Sequence, residues 1–109
     1  MNKLQEALDR LDNGNQWTKG SSFKDDRQCL LGAIGNATDS YYLNWASKDA
    51  ATIAAVSAVA DIIRSQFPDR LYGDEVLQLS ACRAFNDNAK TTWDDVRSVL
   101  EKAAVELDV

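Results

Sequence analysis

The sequence predicts an all-α fold, a compact single-domain bundle of about five helices over residues 2–12, 27–37, 48–67, 75–85 and 92–107. Three observations predict it. Apolar residues recur at intervals of three and four in one segment after another. No segment alternates apolar and polar residues in a sustained way, so strand-rich folds are disfavoured. A single proline leaves few enforced breaks. A chain of 109 residues buries one core and not two, so residues 1–109 are read as one domain. Its 45% apolar content is ordinary for a globular protein.

The first helix, Asn2 to Asp12, carries Leu4, Ala7, Leu8 and Leu11 on one face. Asn2 and Gln5 are spaced for a capping box, and Glu6 precedes Arg10 by four residues. Asn13-Gly14 ends it, since either residue takes positive φ. Residues 15–26 read as a loop whose large apolar side chains, Trp17 and Phe23, either tuck onto the core or line a groove. The second helix, Arg27 to Ala37, is apolar around most of its circumference through Cys29, Leu30, Leu31, Ala33, Ile34 and Ala37. Such a helix is covered on more than one side. Its interior Gly32 costs about 1 kcal/mol relative to alanine, which close approach of a neighbour would offset. Asp25 or Asp26 is placed to cap it.

Residues 38–46 form the most aromatic window, with Tyr41, Tyr42 and Trp45 serving as core lids or as interface anchors. The longest helix, 48–67, has Ser47 as its expected cap and a stripe of Ile53, Val56, Ala60, Ile63 and Phe67. Val59 and Ile62 make a second, narrower strip, which is either a homodimer surface or part of a wide core face. Pro68 stops this helix at Phe67. A turn then leads to a helix over 75–85, with Asp74 as its cap and Val76, Leu79, Cys82 and Phe85 at intervals of three. Residues 86–91 read as a turn. Thr92 caps the last helix with Asp95 at the third position, and Trp93, Val96, Leu100, Ala103 and Leu107 form its apolar face.

The chemistry is defined mainly by what the chain lacks. It contains no histidine, which removes the commonest general base and zinc ligand. Two cysteines without histidine do not complete a usual structural zinc site. There is no phosphate-binding loop, no nucleophile elbow and no EF-hand spacing. The paired carboxylates Asp25/Asp26 and Asp94/Asp95 sit where helices begin, and capping explains them. We therefore assign no catalytic, cofactor-binding or metal-binding residue from the sequence, and expect no cofactor.

The net charge is −5, and residues 73–109 carry −4 of it, with four basic and eight acidic side chains. That balance argues against nucleic-acid binding. Mimicry of DNA is disfavoured too, because Arg97 and Lys102 interrupt the acids of the last helix. The N-terminal run MNKLQEALDRL bears charges where a signal peptide needs an apolar core, and no window reaches the length of a membrane span. The expected setting is the cytoplasm. Cys29 and Cys82 both lie in apolar-periodic segments, which favours buried thiols over a disulfide.

Two candidate surfaces remain. A ligand pocket is expected among Trp17, Phe23, Arg27, Asn86 and Asp87, with Asp87 reaching Arg27 as a clamp. An interface is expected at Tyr41, Tyr42, Trp45, Val59 and Ile62.

The order Trp17, Gly20, then Arg27-x-Cys29-Leu30-x-Gly32-Ala33-Ile34, then Phe85-Asn86-Asp87, then Thr92-x-x-Asp95-Val96 with Leu100 and Ala103 resembles a small uncharacterised family found in actinobacteria and their phages. The resemblance implies a helical fold, an intracellular setting and no catalytic residue, and it is consistent with a phage origin. The expected function is a non-enzymatic protein-interaction domain, binding a host protein if phage-encoded. The alternative is a small-molecule-binding module or weak enzyme using the pocket at Trp17, Arg27 and Asp87.

Overall fold

A computed structural model describes residues 2–20, 23–24, 27–38, 50–71 and 78–107. Among the described residues are five α-helices: α1 (Lys3–Arg10), α2 (Leu30–Thr38), α3 (Ala50–Gln66), α4 (Gln78–Asp87) and α5 (Trp93–Leu107). Short 3-10 turns cover Asp12–Gly14 and Pro68–Arg70. Two two-residue strands, β1 (Phe23–Lys24) and β2 (Arg27–Gln28), pair antiparallel. The helices close into a ring: α2 packs on α1, α1 on α5, α5 on α3, α3 on α4, and α4 back on α2. Helix α2 also touches α3 across the ring. The all-α prediction is met.

Helices α1, α2 and α5 begin where local chemistry supplies an acceptor for their first N–H groups. Asn2 caps α1 by accepting from the backbone N–H of Leu4 and Gln5, while Gln5 Oε1 accepts from Asn2 N at 2.7 Å. At α5, Thr92 Oγ1 accepts from Asp95 N at 3.3 Å and Asp95 Oδ2 accepts from Thr92 N at 3.1 Å. Both reciprocal boxes were expected from the spacing. The positive φ values after α1 fall at Asp12, Asn13 and Gly14, as the Asn13-Gly14 pair required.

The start of α2 corrects the sequence reading. The helix begins at Leu30, not Arg27, because Gln28 is engaged on both sides in extended pairing. Its N–H donates to Gln16 O at 2.6 Å and its carbonyl accepts from Thr18 N at 3.0 Å. A backbone committed to lateral pairing cannot also join a helical turn. The cap is Cys29, whose Sγ accepts from Gly32 N at 3.3 Å. Asp25 and Asp26, expected to cap it, lie outside the described residues, as do Ser47 and Asp74, expected at the starts of α3 and α4.

The long helix also differs from its expected stripe. Its buried residues are Thr52, Ala55, Val56, Val59, Ala60, Ile62 and Ile63, while Ile53 is 37% exposed. The apolar arc is wide because α3 faces α2, α4 and α5 at once. Val59 and Ile62 are accordingly core residues, so the candidate homodimer strip is not a surface. The rest of the candidate interface, Tyr41, Tyr42 and Trp45, falls outside the described residues. The core's largest wholly buried side chains are Phe85, Leu4, Leu11, Leu30, Ile34, Ile63 and Leu100.

Arg70 fastens the chain after α3 to the start of α5. Its Nη1 donates to Asp95 Oδ2 at 2.8 Å and to Thr91 Oγ1 at 3.1 Å, and its guanidinium lies 5.1 Å from the Phe67 ring centre. Its Nε is buried, 3.5 Å from Asp69 Oδ2 but without hydrogen-bonding geometry. The pairing with Asp95 raises the Arg70 pKa. At Asp95, burial pushes the carboxyl upward, but the bonds from Arg70 and Thr92 outweigh burial and hold it below its ordinary value. A carboxyl depressed in the folded state stabilises the fold above its unfolded pKa of about 3.9, and that contribution is lost as the pH falls through its folded value. We predict that Asp95→Asn costs about 1–2 kcal/mol at pH 7. Urea titrations at pH 7 and pH 3 should show a smaller acid-induced loss in the variant than in the wild type. Equal losses would show that Asp95 does not couple stability to protonation.

Candidate functional site

A cluster of polar groups gathers where α4 ends. Residues 86 and 87, expected in a turn, form the last turn of α4, and Asn86 is 2% exposed. Its side chain fills all of its hydrogen-bonding capacity. Oδ1 accepts from Trp17 Nε1 at 2.8 Å and from Leu30 N at 3.0 Å. Nδ2 donates to Thr18 O at 3.1 Å and to Asp87 Oδ1 at 2.9 Å. Two N–H donors on one side and two oxygens on the other fix the amide's orientation. One asparagine therefore joins α4 to the start of α2 and to the loop after α1.

Asp87 extends the joint by accepting from Gly20 N at 2.8 Å. Gly20 has φ +80°, a conformation suited to glycine. Lys19 Nζ donates to Asn88 O at 2.7 Å and lies 5.5 Å from the Trp17 ring centre. Trp17 in turn packs against Trp93 at 6.3 Å between ring centres. The loop is pinned by Trp17, as one of the two sequence readings had it.

Of the predicted pocket residues, the structure brings together Trp17, Asn86 and Asp87. Arg27 is exposed on β2 and forms no ion pair with Asp87, whose carboxylate serves Gly20 and Asn86 instead. The expected clamp is therefore made by a backbone N–H rather than a guanidinium. Phe23 belongs to β1, with its backbone opposite Gln28.

A cavity of about 110 Å³ lies beside this joint, lined by Gly20, Cys29, Leu31, Cys82, Arg83, Asn86 and Asp87. Sequence reasoning missed the two cysteines as neighbours. The available signal was spacing: Cys82 lies one helical turn before Asn86, and Cys29 directly precedes the residue whose N–H Asn86 takes. Both cysteines are buried and neither is in a disulfide. Burial pushes the Cys82 thiol up to about 12, and the neighbouring Cys29 adds to the rise, while Arg64 and Arg83 oppose it. A thiol so placed is protonated at neutral pH and is a poor nucleophile. Among the described residues, no three His, Cys, Asp or Glu side chains form a group able to hold a metal ion.

A second concavity, of about 320 Å³, lies where the end of α1 meets the start of α5. Leu8, Asp9, Asp12, Asn13, Trp93 and Arg97 line it. Leu8 and Trp93 are half-buried, whereas Asp9 and Asp12 are exposed. Trp93 Nε1 donates to Asn13 Oδ1 at 3.3 Å. Arg97 is occupied by Asp94 at 3.2 Å and Glu101 at 3.9 Å.

The model of a family of unknown function, DUF6197, matches residues 2–106. The chain belongs to DUF6197. No curated protein and no solved structure matches this DUF6197 chain. The expectation of an uncharacterised family is met. No helix among the described residues of this DUF6197 domain is long and apolar enough to cross a membrane.

Proposed function

We propose that this domain is a non-enzymatic protein-interaction module. It takes a short cationic segment of a partner, a host protein where the gene is phage-borne, in the groove between α1 and α5. The observation that carries the reading is the groove's composition. Leu8 and Trp93 offer an apolar floor, Asp9 and Asp12 line it with negative charge, and the cation Arg97 is engaged by acids of its own helix. Aromatic floors with charged rims are the usual anatomy of peptide sites. The net charge of −5 steers a basic partner in the same direction.

Selection from a random displayed-peptide library tests this. Enriched peptides should pair lysine or arginine with a large apolar residue. Asp9→Lys should weaken their binding about fivefold, the worth of one exposed charge contact. Enrichment of neutral or acidic peptides, or indifference to Asp9→Lys, would remove the reading.

A second reading, a small-ligand module, is favoured by the cavity beside Asn86. At about 110 Å³ it falls below the roughly 300–1,000 Å³ of drug-sized sites and admits only a very small ligand. A thermal-shift screen of small metabolites tests it, with a rise of several degrees expected from one ligand class.

A further inference from the structure

The contacts that hold the loop after α1 onto the end of α4 fall into two sets of different strength. The inner set is made by buried Asn86, which accepts from Trp17 Nε1 at 2.8 Å and donates to Thr18 O at 3.1 Å. Thr18 is also held by β2, since its N–H donates to Gln28 O at 3.0 Å. The outer set is made by the next two residues of the loop. Gly20 N donates to Asp87 Oδ1 at 2.8 Å, and both residues are exposed. Lys19 Nζ donates to Asn88 O at 2.7 Å, and both residues are half-buried. An exposed hydrogen bond opens at low cost because water replaces it, whereas opening a buried one strands both partners. The outer set therefore lets go first.

The outer set lies at the small cavity. Gly20 and Asp87 both line it, and so does Cys82, one helical turn before Asn86 on α4. Cys82 is wholly buried, so solvent does not reach this part of the wall in the closed structure. Gly20 has φ +80°, and a Cβ built on it would meet nothing within 4 Å. Backbone conformation rather than crowding calls for glycine here, which suits a hinge.

We propose that Lys19 and Gly20 form a flap on the cavity, latched by Asn88 and Asp87. A small ligand enters when the flap lifts, while Trp17 and Thr18 stay fixed on Asn86. The proposal rests on the small-ligand reading of this cavity and supplies that ligand's way in. Opening exchanges two protein hydrogen bonds for bonds to water and leaves the inner set intact.

Two measurements on the reduced full chain test the flap. Neither uses a metabolite, so a blank metabolite screen would remove the ligand and leave the flap. The first is labelling of Cys82 by methyl methanethiosulfonate, a small thiol reagent, located by mass spectrometry. In the wild type the rate should stay constant at low urea, because a local opening exposes little surface. Lys19→Ala and Asp87→Ala should each raise it about tenfold, the worth of one charge-assisted hydrogen bond. That rise should exceed any fall in the folding equilibrium constant found by urea titration. The second is amide hydrogen exchange in the wild type, which needs no variant. Gly20 N–H, in the latch, should exchange at least about a hundredfold faster than Leu30 N–H, which Asn86 holds. Labelling that climbs with urea in step with global unfolding would overturn the proposal. So would variants that label no faster than their lost stability explains, or a Gly20 amide as slow as that of Leu30.

Discussion

Replacing Asn86 with alanine is expected to destabilise the domain by about 3–5 kcal/mol. The change strands the Trp17 indole N–H, the Leu30 backbone N–H and the Thr18 carbonyl around a buried gap. Each unsatisfied buried group costs about 1–3 kcal/mol. Partial wetting from the adjoining cavity recovers some of that, which sets the range. Domains of this size have roughly 5–15 kcal/mol in hand, so the variant approaches the limit of folding. At about 4 °C per kcal/mol, the melting temperature should fall by roughly 12–20 °C.

Asn86→Asp separates hydrogen bonding from packing. The two acceptor contacts survive, but the amide's donations to Thr18 O and Asp87 Oδ1 become repulsive. A carboxyl in that position binds a proton more tightly when folded than when unfolded. The variant should therefore be relatively most stable below about pH 4 and lose stability as the pH rises. Urea titrations across pH check the sign. A loss below about 1 kcal/mol in Asn86→Ala, or an Asn86→Asp profile parallel to wild type, would show that Asn86 is not the joint described above.

The second large effect is expected at Gly14. Its φ of +93° lies in the left-handed region, where a side chain costs about 1–2 kcal/mol. A Cβ there would also meet Trp93 Cγ at 2.8 Å, closer than real contacts allow. Displacing Trp93 disturbs its packing on Trp17 and its bond to Asn13. Gly14→Ala should cost about 2–3 kcal/mol in all, strain and overpacking together. The melting temperature should drop by roughly 8–12 °C, with a change in tryptophan emission. A drop under about 2 °C would mean that the ring moves aside without penalty and that the turn tolerates a side chain.

The parts legible in the sequence share one property: their partners are close along the chain. Asn2 with Gln5 and Thr92 with Asp95 are each three residues apart, and both boxes form as read. The start of α2 was not legible, because its displacement to Leu30 depends on Gln28 pairing with Gln16 and Thr18. From the sequence, Asn86 reads as a turn residue and a member of the candidate pocket. Its decisive partners instead lie 56, 68 and 69 residues away. Pattern reading also cannot say how many neighbours a helix has. Val59 and Ile62 look like a spare strip until α2, α4 and α5 are seen around α3.

The ring has an implication for how the molecule comes into being on the ribosome. Helix α1, the first to emerge, rests against α5, the last, and Asn2 Nδ2 donates to Ala104 O at 2.8 Å. Until residues 93–107 have cleared the exit tunnel, α1 lacks the cover that α5 gives it. This stretch of chain therefore carries an unfinished, sticky surface on α1 until α5 is free to cover it.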